Sequence, residues 1–250
     1  ALEVMQVRLT NVSKRKLSCI PYVAIPLYAR SADNLRDHRH VTSLLTRIQS
    51  ERFWIKVKPT LLFDESGHRP NNTVYYVASC DGRGRGPQYI YPTQEIFCGE
   101  SGDLESPEAV FANQLPLKTP IQGKEPMAAL RFTKIYLPPQ AQATYIVIMG
   151  ITQGRCNLNS LISKFNSGVK INKHFVKTRD FWQRQANSMQ VSSGSRNFDN
   201  WLRWVNIQPQ LRKIFGCSFL PDFDYGKGGR GWRDLWQDCL GLILSNPQEV

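Results

Sequence analysis

The run Trp232-Arg233-Asp234-Leu235-Trp236-Gln237-Asp238 concentrates more chemistry than any other stretch of this 250-residue chain. If Arg233 onward is helical, Asp234 and Asp238 share a face at i and i+4, and so do Arg233 and Gln237. That sets a guanidinium fork, two carboxylates and an amide between two indoles. A sugar ring asks for such a set: its hydroxyls need cooperative donors and acceptors, and its C–H faces need a flat apolar platform. Five of the six tryptophans (182, 201, 204, 232 and 236) fall in the last 70 residues, which suits that reading. The structural alternative is an Asp cap with an internal salt bridge and core indoles. On the residues alone both remain open.

Other motifs carry less. Gly226-Lys227-Gly228-Gly229-Arg230-Gly231 satisfies the dinucleotide-binding pattern G-x-G-x-x-G. Its context does not: Leu220-Pro221-Asp222-Phe223-Asp224 stands where a strand is required, and Trp232 crowds the helix–strand approach. Arg83-Gly84-Arg85-Gly86, a single Arg-Gly element after Asp81-Gly82, reads as a hairpin tip. His38 and His40 stand two residues apart, while His68 and His174 lie in unrelated contexts, too few convergent ligands for zinc. No nucleophile elbow or local triad signature occurs.

The elements that must position these residues change character near residue 155. Up to residue 152 the chain reads as strands: Met5, Val7 and Leu9 alternate with polar residues, and similar runs follow at 54–63, 73–78, 130–137 and 144–151. Turn signals separate them, which predicts an antiparallel sandwich, with 34–49 as a short helix or ordered insertion. From Cys156 the period becomes helical. Leu158, Leu161, Ile162 and Phe165 form one set, and Phe198, Trp201, Leu202 and Val205 another, behind the capping candidates Ser195 and Asn197. A third apolar set follows Pro209, and Arg233–Asn246 is spaced for a helix ending before Pro247. The expected domains are a sandwich over 1–152, a helical linker over 153–195, and an incomplete helical domain over 196–250.

Composition bounds the rest. The mass is 28.6 kDa, 41% of residues are hydrophobic and mean hydropathy is −0.38, values of a core-forming chain. No window approaches 18 consecutive apolar residues, so a membrane span is excluded. The six cysteines form no C-x-x-C pair, which favours free thiols and a cytoplasmic setting. The net charge is +12, and the densest basic stretch, 155–213, sets 11 basic residues against Asp180 and Asp199. Such a face could steer phosphate, an acidic sugar or nucleic acid. A nucleic-acid-binding reading is disfavoured by Asp234 and Asp238 inside the best motif, which would repel phosphodiester. A non-catalytic carbohydrate-binding module is the nearer alternative.

The segment Tyr225–Asp238 with Leu240-Gly241-Leu242 resembles the signature of inverting glycoside phosphorylases of the cellobiose phosphorylase type, the glycosyl hydrolase 94 family. Leu2–Met5, Arg30–Leu45 and Phe63–His68 resemble the sandwich domain of the same group. The resemblance implies a β-supersandwich, a helical linker and the truncated start of an (α/α)6 barrel. It implies reversible phosphorolysis of β-glucosidic bonds with inversion, giving α-glucose 1-phosphate. Arg233 and Asp238 would hold the terminal glucosyl residue, with Trp232, Asp234 and Gln237 in support. No metal or cofactor is implied; inorganic phosphate is the co-substrate, a β-linked gluco-oligosaccharide the partner, and a homodimer the family habit. Neither nucleic acid nor membrane is expected. The general acid is expected beyond Val250, so the chain reads as an internal fragment with no catalytic residue of its own, inactive alone.

Overall fold

A computed structural model describes residues 2–28, 43–64, 67–100, 102–154, 157–215 and 232–250. They form two compact units, Ala1–Ile171 and Asn172–Val250.

The first unit is built on an antiparallel sheet of five strands. Its strands are β1 (Leu2–Thr10), β4 (Thr46–Glu51), β5 (Trp54–Pro59), β8 (Thr73–Asp81) and β12 (Gln142–Gln153), in the order β1-β12-β8-β5-β4. A three-stranded sheet, β3 (Tyr22–Pro26), β10 (Pro126–Arg131) and β9 (Tyr89–Thr93), runs in the order β3-β10-β9. Two short pairs complete the strands, β2 (Leu17–Cys19) with β11 (Ile135–Leu137) and β6 (Leu61–Asp64) with β7 (Gly67–Pro70).

Alternation sorts the side chains into three apolar layers. Ile48, Ile55, Val57, Val77 and Val147 meet Ala128 and Leu130 between the two sheets. On the outer face of the large sheet, Trp54, Tyr76, Ala78, Cys80, Ile146 and Ile148 are covered by Leu158, Ile162 and Phe165 of α3 (Leu158–Phe165). Beyond the small sheet, Tyr91, Met127 and Ala129 pack on α1 (Gln94–Cys98) and α2 (Glu108–Phe111). With both faces covered, β8 and β12 are apolar almost throughout, as central strands must be.

The boundaries differ from the periodicity in instructive places. The run 130–137 is two strands: Arg131 ends β10, and Phe132 N donates to Pro21 O before β11 pairs with β2. Gln49, expected in a helix or insertion, lies in β4, while 34–42 lie outside the described residues. The Arg-Gly element does not join neighbouring strands of one sheet. It carries the chain from β8 to β9 in the other sheet, held by Asp81, whose carboxylate accepts from Arg83 N, Arg85 N and Arg85 Nε.

The helices that follow are α4 (Gly168–Ala186), α5 (Arg196–Phe215) and α6 (Trp232–Ser245), with a 3-10 turn at Pro247–Glu249. Asn157 caps α3 by accepting from Ser160 N at 3.0 Å. Ser195 accepts from Phe198 N at the start of α5. The apolar set after Pro209 belongs to the same helix as the set before it, since α5 runs through Pro209 without ending. No helix among the described residues is long and apolar enough to cross a membrane.

Candidate functional site

The residues singled out for sugar recognition stand in the first two turns of α6. A helix beginning at Trp232 keeps Arg233 and Gln237 one turn apart, and Asp234 and Asp238 likewise, the spacing the carbohydrate reading needs. Asp234 falls in the first turn, where a negative charge suits the helix dipole. Trp236 and Gln237 are exposed to solvent. The side chains of Trp232, Arg233, Asp234 and Asp238 lie outside the described part, as do the whole of Gly226–Gly231 and the histidines His38 and His40.

What positions α6 is its contact with α5. Ile207 and Leu242 are buried, and Gly241 comes so close to Pro209 that a Cβ there would stand 3.0 Å from the proline Cγ. Pro209 lacks the N–H that would extend the α5 ladder. The missing side chain at Gly241 leaves room for its ring.

The sandwich unit has its own concave surface, a cleft of about 780 Å³ beside α1 and α2. Glu95, Glu100, Glu108 and Glu125 line it, with Gln114 and Lys124 among the other polar groups. Lys124 pairs with Glu95. Among the described residues no aromatic lines the cleft, so they give it no platform on which a sugar face stacks.

Nucleophilic chemistry finds little support in this unit. Burial pushes the Cys80 thiol up to about 11, with the Asp81 carboxylate adding to it. Burial likewise raises Cys98, helped by Asp103 and Glu125. Thiols held protonated are poor nucleophiles. Cys19, Cys80, Cys98 and Cys239 are free. Among the described residues no three His, Cys, Asp or Glu converge as a metal site would require.

One polar group escaped the sequence reading. Arg131 ends the otherwise apolar run Pro126–Leu130 and is 7% exposed. Cross-strand register sets it opposite Tyr22 on β3 and Tyr89 on β9. The guanidinium carbon lies 5.8 Å from the Tyr22 ring centre and 5.4 Å from that of Tyr89. An arginine closing a run of small and apolar residues was the available signal. The expected strand run 130–137 takes it as an interior polar position.

Comparison with known proteins gives one family. The model described as glycosyl hydrolase 94, supersandwich domain, matches residues 1–168, which takes in every strand among the described residues and α3. No curated protein matches the chain.

Proposed function

Because the chain belongs to the glycosyl hydrolase 94 family, a family of carbohydrate-active enzymes, we propose that it is the supersandwich-bearing part of a β-glucan oligosaccharide phosphorylase. The observation that carries the reading is the family match over 1–168, joined to the R-D-x-x-Q-D core at the start of α6. In this reading 1–152 is the sandwich, 153–195 the linker, and 196–250 the opening of an (α/α)6 barrel. The setting is cytoplasmic.

The proposed reaction is phosphorolysis. A phosphate oxygen attacks the anomeric carbon from the face opposite the glycosidic oxygen. The C–O bond breaks, a carboxylic acid protonates the departing oxygen, and the product is α-glucose 1-phosphate. Phosphate takes the place of the activated water of inverting hydrolases, so one acid suffices and neither metal nor organic cofactor is needed. The role of this chain is to grip the terminal glucosyl residue. Arg233 offers five N–H donors in a rigid fork that suits vicinal hydroxyls, and Asp238 accepts from hydroxyls of the same ring. Trp232, Asp234 and Gln237 support them.

The test is release of glucose 1-phosphate from β-linked gluco-oligosaccharides by a protein in which these residues are followed by the acid-bearing loops. Charge-assisted hydrogen bonds are worth ~1.5–3 kcal/mol, so Asp238→Ala lowers kcat/KM there by one to two decades. If Asp238→Asn and Arg233→Lys keep full turnover but melt earlier, both residues belong to the scaffold instead. The 250-residue chain alone gives no product in this reading; product from it would place the acid among its own residues.

A further inference from the structure

Among the described residues Arg131 is a buried cation without an anion: it forms no ion pair with any of them, and the one side-chain partner of its guanidinium there is Asn113, whose Oδ1 accepts from Nη2 at 2.7 Å. Nε and Nη1 are enclosed and have no hydrogen-bond partner. The flanking tyrosine rings offer their π faces to the charge, which moderates it but gives the in-plane N–H groups no acceptor. Two nearby phenols are spent elsewhere: Tyr22 Oη donates to Ala109 O at 3.0 Å, and Tyr91 Oη to Gln114 O at 2.7 Å. Buried charged groups are ordinarily paired, and open N–H groups on one are rarer still.

The geometry points to a binding site for a small oxyanion, and we propose that Arg131 takes a carboxylate or phosphate group in place of the Asn113 amide oxygen. A guanidinium has two edges that can grip an oxyanion with paired donors, Nε with Nη2 and Nη1 with Nη2. Each edge here has one nitrogen open, and both share Nη2. Asn113 takes one of the two Nη2 hydrogens and so stands in the way of one of these edges. Asn113 is also the group able to leave. It is exposed, outside any helix or strand, and its backbone is left-handed at φ 52°, a conformation asparagine tolerates. Rotating its side chain into water exchanges a neutral acceptor for a charged one. Tyr22 and Tyr89, on the strands either side of β10, then flank the anion. The site lies on the outer face of the small sheet, within the first unit, and the proposal does not depend on the sugar-binding residues proposed on α6.

The test uses the whole 250-residue chain. Inorganic phosphate and, separately, acetate are titrated at constant ionic strength set with sodium chloride, while the ¹H–¹⁵N resonance of Arg131 Nε is followed. We expect a saturable shift with at least one anion, phosphate alone or acetate alone naming the preferred chemistry. Asn113→Ala, which removes the competing acceptor, lowers the apparent Kd at least threefold. Thermal melting gives a second readout: the anion that shifts the resonance raises Tm with the logarithm of its concentration in the native chain and not in Arg131→Lys. Saturation of the resonance shift separates binding from the general salting effect of phosphate, which grows without limit. The proposal fails if neither anion moves the resonance saturably, or if Asn113→Ala leaves Kd unchanged. Should Arg131→Lys not fold, the resonance and the Asn113 variant decide.

Discussion

Trp54 Nε1 donates to Asn159 Oδ1 at 3.0 Å, tying the outer face of the five-stranded sheet to the first turn of α3. Asn159 Nδ2 in turn donates to Glu51 Oε2 at 3.3 Å. Around this polar link Leu158, Ile162 and Phe165 complete an apolar layer over Tyr76, Ala78, Ile146 and Ile148. Burial of side chains this size contributes about 1.5–3 kcal/mol each, against about 1 kcal/mol for the hydrogen bond. A chain ending at Ile171 should therefore show a clearly higher urea midpoint than one ending at Thr152. Asn159→Ala should cost about 1 kcal/mol and Ile162→Ala about 2–5 kcal/mol. Equal midpoints for the two chain lengths would remove α3 from the sandwich core.

Asn11 is 2% exposed and organises the turn after β1. Its Nδ2 donates to Leu137 O and to Arg15 O, each at 2.8 Å, while Oδ1 accepts from Ser13 N and Ser13 Oγ. Every polar atom of the side chain is used, across 126 positions of sequence in one case. Asn11→Ala takes the Nδ2 donor from Leu137 O and from Arg15 O, which keeps Ser13 Oγ, and should cost about 1–3 kcal/mol in urea unfolding. Asn11→Asp keeps the acceptor but sets negative charge against those carbonyls, so it should be the worse of the two above pH 5. Reversal of that order would mean the acceptor side carries the turn.

The raised thiol of Cys80 makes a signed prediction. Its folded value of about 11 lies above the ordinary 9.0 of the unfolded chain. The native state thus favours the protonated form. The resulting stability is fully present below pH 9 and is lost as pH rises towards 11. Burial raises Cys98, Tyr75 and Tyr145 in the same direction, so Cys80→Ala should flatten the alkaline fall only in part. Urea midpoints from pH 8 to 11 check it. Alkylation supplies a second readout, Cys80 remaining unmodified at pH 8 until the chain unfolds.

Much of the fold was legible because periodicity reports which faces are covered. The unbroken apolar run 144–151 marked a strand sheltered on both sides, and β12 lies in the second position of its sheet, between the small sheet and α3. The strands that went unread, β2, β3, β4, β7 and β9, are short, and β3, β7 and β9 contain Pro26, Pro70 and Pro92, so local pattern had little length to speak in. The i, i+4 spacing of Arg233, Asp234, Gln237 and Asp238 was readable because it lies within one helix. The setting of Arg131 was not. Tyr22 and Tyr89 reach it only through strand pairing, and no local window contains all three.

Gly241 and Pro209 give the last prediction, which links helix packing to the proposed sugar site. Replacing glycine by alanine inside a helix ordinarily stabilises it by roughly 1 kcal/mol. Here the new Cβ would stand 3.0 Å from Pro209 Cγ, and only a change of ring pucker or a shift of the helix can relieve it. Gly241→Ala should therefore push α6 off α5 and lower stability in the native background. In Pro209→Ala the obstruction is gone, so the same change should raise stability by up to about 1 kcal/mol. The cycle should show a coupling of about 0.5–3 kcal/mol by urea unfolding. Because α6 carries Arg233 and Asp238, Gly241→Ala should also lower kcat/KM in the catalytically complete protein, and Pro209→Ala should restore it. Additive stabilities, with unchanged kinetics, would mean that this contact does not set where α6 lies.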